Sequence, residues 1–320
     1  MNGLKRSSRI KLALFVGGIA CILAVTLSLC LGSSGFLVSG AIFRYVRLPR
    51  TAACVLAGAG LSVSGAVLQN VLANKLASPS IIGVNAGAGL GVTVCCAAGA
   101  LSGWMISGAA FLGSLFAVTV ITLAAYRTRA SRSTVILGGV AVNSVLNALS
   151  ESVAILNPDA AVLTTEFRVG GFSAVSHVRL IPAGILIALA LIVLLTLSNE
   201  LDILILGDET AQGLGMSVRR TKTLFLLFAA LLAGASVSFA GLLGFIGLIV
   251  PHFTRKIVGS ASRVLIPACA LYGSAFVTVC DLIARIAFAP YELPVGILMS
   301  VIGGPFFVLL LLKHKGGHAE

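Results

Sequence analysis

The sequence predicts an all-α polytopic membrane protein with about ten transmembrane helices, and three observations carry that prediction. Only 10% of the 320 residues are charged and mean hydropathy is +1.09, against about 25% charged in soluble domains. Apolar runs of about 20 residues recur along the chain, and a helix of that length, rising about 1.5 Å per residue, crosses the hydrocarbon core. The runs are continuous and do not alternate apolar with polar residues, which argues for helices and against a transmembrane barrel. One transmembrane domain over residues 1–320 is the simplest organisation.

The first run, 11–31, follows Lys5, Arg6, Arg9 and Lys11. It is longer than a signal-peptide core. Leu29, ahead of Cys30, is too bulky for a lipoprotein-type cleavage site, so the run reads as an uncleaved first span. Spans two to ten fall at 48–69, 83–101, 104–126, 134–156, 179–198, 221–240, 243–257, 264–285 and 293–313. The third and eighth are short and glycine-rich. Gly83, Gly87 and Gly91 recur every fourth residue, a small-residue stripe that lets helices approach closely. Gly241, Gly244 and Gly247 allow a tight turn between spans seven and eight, and Pro251 is expected to break or kink the end of span eight.

Of the 22 lysines and arginines, a cytoplasmic N-terminus places 16 inside and leaves only Arg44, Arg47, Arg50, Arg168, Arg179 and Arg285 outside. That bias sets the orientation, with both termini cytoplasmic. The same distribution explains the net charge of +12 without nucleic acid, because the basic residues lie in short loops between spans. Arg44, Arg47 and Arg50 crowd the outer end of span two against the rule, which suggests headgroup anchoring or an acidic partner. The seven cysteines lie inside apolar runs without metal or disulfide spacing and read as small packing residues.

An isolated charge in mid-bilayer costs about 2.5–3.5 kcal/mol on insertion scales. Asn143, Asn147 and Glu151 share one face of span five at i, i+4 and i+8. They either line a wet pathway or hydrogen-bond between helices. Asp281 and Arg285 are four apart and can pair. The chain has no nucleophile–base set, zinc signature or phosphate-binding loop, so neither catalysis nor nucleotide hydrolysis is expected of it. The polar exception is "LGDETAQGLGMSVRR", Leu206 to Arg220. Four of the ten acidic residues, Glu200, Asp202, Asp208 and Glu209, lie in or just before it.

Four segments resemble the permease family of ATP-binding-cassette (ABC) importers for iron-siderophores, haem and vitamin B12. They are "RLPRTAACVLAGAGLSVSGAVLQNVLANKLASPSIIGVNAGAG" from Arg47, "LGDETAQGLGMSV" from Leu206, "GLLGFIGLIVPHFTRKIVG" from Gly241, and "DLIARIAFAPYELPVGILMSVIGGPFFVLLLLK" from Asp281. The resemblance implies a ten-span subunit working as a homo- or heterodimer in the bacterial cytoplasmic membrane. Two cytoplasmic ABC ATPases would dock below it and an extracytoplasmic substrate-binding protein above. The chain itself would bind no cofactor, ATP and Mg belonging to the partner ATPase. Coupling helices are implied within 199–220, carried by Leu206, Gly207, Asp208, Glu209, Ala211, Leu214 and Gly215. Arg47, Arg50 and Arg285 match outer-rim residues that meet the binding protein. Asn74 with Leu76, and Arg132 with Ser133, match the cytoplasmic gate, and Asn143 and Asn147 fall on a pathway-lining span. Lys75 stands where the family usually has proline. Ferric siderophore is the expected cargo, with cobalamin and haem as alternatives. The rival class, an ATP-independent secondary transporter, needs a midplane acid, and only Glu151 comes near.

Overall fold

The computed structural model describes residues 2–32, 40–128, 130–173 and 175–315, and every regular element among them is helical. The extreme C-terminus, 316–320, lies outside the described residues, as does Met1. In chain order the helices are α1 (Asn2–Cys30), α2 (Gly40–Ile42), α3 (Leu48–Val71), α4 (Val84–Ala97), α5 (Gly103–Thr128), α6 (Arg132–Leu156), α7 (Pro158–Val169), α8 (His177–Thr196), α9 (Ser198–Ile205), α10 (Asp208–Gly213), α11 (Val218–Ala240), α12 (Ile246–Val258), α13 (Ser262–Ile286) and α14 (Val295–Lys315). A π-helical turn, Phe43–Arg47, joins α2 to α3.

Each of the ten expected spans holds one helix: α1, α3, α4, α5, α6, α8, α11, α12, α13 and α14. Seven of the helical stretches are long and apolar enough to cross a membrane. As expected, α4 and α12 are short, at 14 and 13 residues. Span two is longer than expected, because helix runs from Gly40 to Val71 through the π turn. Helix α7 was not expected. Pro158 opens it, Asp159 lies in its first turn and Arg168 in its last, the arrangement that complements a helix dipole.

The centre of the bundle is α3, buried along almost its whole length against α13, α11 and α12. Small residues make this possible. A β-carbon at Gly58 would collide with the backbone of Gly273, and one at Gly65 with that of Gly247. The stripe in α4 works the same way: Gly87 and Gly91 face Gly113 and Ala109 of α5. Gly83 instead precedes the helix at φ 90°.

Helix α12 is not broken at Pro251 but continues to Val258. Proline has no N–H for the carbonyl four residues back, which here belongs to Gly247. That carbonyl accepts from Gln69 Nε2 at 3.2 Å. The freed acceptor is satisfied by a neighbouring helix, as membrane burial requires.

Candidate coupling site and gate

The polar island folds as a helical step. After α8, the chain turns into α9 and then into α10, which begins at Asp208. Only α10 lies within 206–218; the other short helix, α9, precedes it. Gly207 (φ 108°) and Gly215 (φ 83°) flank α10 in left-handed backbone that favours glycine. Ala211 is fully buried and holds α10 against the bundle. Leu206 and Leu214, by contrast, are 62% and 63% exposed, and Glu209 is exposed beside them. The step therefore presents two apolar side chains and an acid away from the bundle.

Asp208 ties this step to two spans. Its Oδ1 accepts from Arg132 Nη2 at 2.7 Å and its Oδ2 from Lys222 Nζ at 2.5 Å. Arg132 Nη2 also donates to the Leu204 carbonyl at 2.9 Å. Partial burial pushes the Asp208 carboxyl up, but the hydrogen bonds and charges of Lys222 and Arg132 outweigh this and hold it below the usual carboxylate range. A residue matched to the gate, Arg132, is thus in direct contact with a residue matched to coupling. Sequence spacing gave no sign of this, since the pair is 76 residues apart.

The other residues matched to a gate form local turns. Asn74 Oδ1 accepts from Leu76 N at 2.8 Å, an Asx-type turn. This side chain fastens the turn in which Lys75 replaces the family proline. Ser131 caps α6 by accepting from Thr134 N, and Ser133 hydroxyl lies 2.9 Å from that of Ser131.

Behind the Asn74–Leu76 turn lies a polar network that the sequence reading missed. Arg255 donates to Gln69 Oε1, to Asn70 Oδ1 at 2.8 Å and to the Ala66 carbonyl. Asn70 Nδ2 donates to Ser262 Oγ at 3.1 Å, and Ser262 N donates to the Asp202 carboxylate at 2.9 Å. Asn74 N donates to the Gln69 carbonyl at 3.1 Å. The network joins α9 to the first turn of α13, to α12, and to the gate end of α3. The QN pair in "VLQN" and Arg255 in "PHFTR" were the available signals, but neither names its partner.

Asn143 is half-buried and donates to the carbonyls of Ser80 and Ile81 at 2.8 and 3.1 Å. Its role in this chain includes holding α6 to the turn before α4. Asn147 and Glu151 are exposed on the chain's surface.

At the opposite end the arginines matched to the outer rim are held within the chain. Arg47, Arg50 and Arg285 are only 4%, 7% and 3% exposed. Arg50 pairs with Asp281 at 3.0 Å and with Glu292 at 2.7 Å, and Arg285 pairs with Asp281 at 3.1 Å. Arg285 also donates to Ser28 Oγ at 2.7 Å, and Arg47 to the carbonyls of Leu29 and Cys30. For Arg50 and Arg285 the physical reason is Asp281, a buried carboxylate that draws the nearest cations inward. Arg44, by contrast, is exposed. The expected pairing of Asp281 with Arg285 is present. No group of His, Cys, Asp and Glu suited to a metal ion occurs among the described residues.

The comparisons with known proteins agree with this architecture. Residues 8–313 match the model of the FecCD transport family. The vitamin B12 import system permease protein BtuC of Citrobacter koseri is 36% identical over 310 residues, covering 92% of each chain. The cobalamin import system permease protein BtuC of Halobacterium salinarum is 38% identical over 268 residues, covering 83% of this chain and 72% of that one. A solved structure described as inward-facing and of the metal-chelate ABC transporter type superposes with a TM-score of 0.86 at 27% identity, covering 94% of this chain and 98% of that one. The chain is therefore a member of the FecCD transport family, a multi-pass ABC importer permease that is not itself an enzyme and leaves ATP to a partner ATPase.

Proposed function

We propose that this chain is the translocating subunit of a bacterial cytoplasmic-membrane importer for a metal chelate. It dimerises, receives cargo from an extracytoplasmic binding protein, and is driven by ABC ATPases docked on the step formed by α9 and α10. Both termini are cytoplasmic, as the 16 to 6 distribution of basic residues favours. The observation that carries the reading is the contact of Asp208 with Arg132. A displacement of α10 reaches the first turn of α6 through that pair, without an intermediate. Leu206 and Leu214 supply apolar surface for the ATPase, with Gly207, Glu209 and Gly215 shaping the face. Asn74, Leu76, Arg132 and Ser133 form the cytoplasmic gate, and Asn147 lines the pathway, with Asn143 behind it.

The sequence favoured ferric siderophore as cargo. The names of the relatives, permeases for vitamin B12 and cobalamin, favour a corrinoid, and we place cobalamin first and ferric siderophore second. Two measurements test the proposal. The tagged chain, purified from its native membrane in mild detergent, is expected to bring down an ATPase at equal stoichiometry, and to lose it when Asp208 and Glu209 are both changed to lysine. A chain that purifies alone in every detergent sinks the coupling assignment. Uptake of radiolabelled cobalamin, ferric siderophore and haem, compared side by side, decides the cargo, and uptake of none of them removes the metal-chelate reading.

A further inference from the structure

A cleft of about 460 Å³ opens at the island end between α5, α6, α10 and α11, lined in part by Tyr126, Arg132, Asp208, Gln212, Arg219 and Lys222. A second groove of about 230 Å³ adjoins it, formed by Thr119, Thr122, Leu123, Tyr126, Thr223 and Leu227 of α5 and α11. Thr122, Tyr126 and Thr223 belong to both, so the two are continuous. The first is charged and the second carries no charged residue.

We propose that the pair of cavities is a binding site for an anionic phospholipid, with its phosphate among Arg132, Arg219 and Lys222 and an acyl chain lying between α5 and α11. Charge complementarity is the first argument. Three cations face one acid, Asp208, whose two oxygens are already engaged by Arg132 and Lys222. The cleft thus keeps a positive excess after its internal pairs are counted. Arg219 lies 3.7 Å over the Tyr126 ring, which holds its guanidinium at the junction of the charged and apolar parts. The second argument is an orphaned donor. Thr122 lines both cavities, is 4% exposed, and its Oγ1 has no hydrogen-bond partner, an unfavourable state for a buried hydroxyl. A phospholipid ester or phosphate oxygen at the junction would accept from it. The third argument is position. Both α5 and α11 are apolar membrane-spanning helices, and the groove lies near the ends where their basic residues begin, with Leu123 and Leu227 exposed along it. Basic pockets between spans at the cytoplasmic surface are suited to anionic headgroups. The ligand would share Arg132 and Lys222 with Asp208, so lipid occupancy and the α10 contact would bias one another.

The test is native mass spectrometry of the full chain released from nanodiscs of equal phosphatidylglycerol and phosphatidylcholine. The wild type is expected to retain phosphatidylglycerol in preference. Arg219→Gln should lower that preference about fivefold, the worth of one basic residue near a membrane surface. Leu227→Trp, at an exposed position, should fill the groove and reduce retention of both lipids. Millimolar inorganic phosphate should displace neither. Equal retention of the two lipids, or retention unchanged by both substitutions, overturns the proposal. Displacement by inorganic phosphate overturns it too, making the cleft a site for a free anion.

Discussion

At one end of the bundle Asp281 lies buried between Arg50 and Arg285, and at the other Asp208 lies half-exposed between Arg132 and Lys222. Both are single acids bridging two cations, but they join different things. Asp281 and Arg285 lie on one helix, and Arg50 reaches them from the adjoining α3, so the cluster fastens helices already packed along their length. Asp208 opens a six-residue helix that contacts the bundle sparsely and connects it to the starts of two separate spans. Desolvated charge cannot be released without a large penalty, whereas exposed pairs exchange readily with water. The difference assigns a fixed role to the first end and a movable one to the second.

The largest expected effect comes from breaking the buried end. Asp281→Ala takes the carboxylate from the buried Arg285 and leaves Arg50 with Glu292 alone, and should cost about 3–5 kcal/mol, seen as lost folded yield and a lowered thermal midpoint in detergent. Glu292→Gln should cost less, because that carboxylate is one-third exposed. A melt for Asp281→Ala equal to wild type would dissolve the comparison. Next is the network behind the gate. Gln69→Leu leaves the Gly247 carbonyl, freed by Pro251, without its donor, and removes an acceptor of Arg255. A destabilisation of about 1–3 kcal/mol is expected, and an unchanged melt would mean that Arg255 re-pairs without loss.

Asp208→Asn should barely move the thermal midpoint, since half-exposed pairs contribute about 0–1 kcal/mol each. Uptake should nevertheless fall steeply, because the link from α10 to α6 is cut. Loss of stability in parallel with loss of uptake would show that this end is structural like the other, and uptake at the wild-type rate would remove Asp208 from coupling.

The legibility of the chain follows the same division. The positions of the ten spans, the shortness of α4 and α12, and the Asp281–Arg285 pair could be read from sequence because each depends on local composition or on helical spacing. The contacts of Asp208 with Arg132 and Lys222, and of Arg255 with Gln69 and Asn70, join distant segments, and no periodicity encodes them. The burial of Arg50 was hidden for a related reason. Topological counting sees which end of a span holds an arginine, not that a carboxylate 231 residues away draws it inside. Helix α7 was hidden because its twelve residues are too few and too mixed in polarity to read as a span, although Pro158, Asp159 and Arg168 marked its ends.

The smallest effect concerns pH, and its sign separates the two cations' influence from that of burial. Burial alone would raise the Asp208 carboxyl and release α10 in mildly acid solution. Lys222 and Arg132 reverse that, leaving it below its ordinary value. A depressed carboxyl contributes its full stabilisation above the unfolded value, about 3.9, and loses it only as pH falls through the folded value. A spin label at Thr210→Cys in α10 should therefore show constant mobility from about pH 8 to pH 5 and loosen only below about pH 4. In the Asp208→Asn background it should be loose across the whole range. Loosening centred near pH 6 would mean that the two cations do not hold the carboxylate, and the step would then be anchored by Ala211 and the backbone alone.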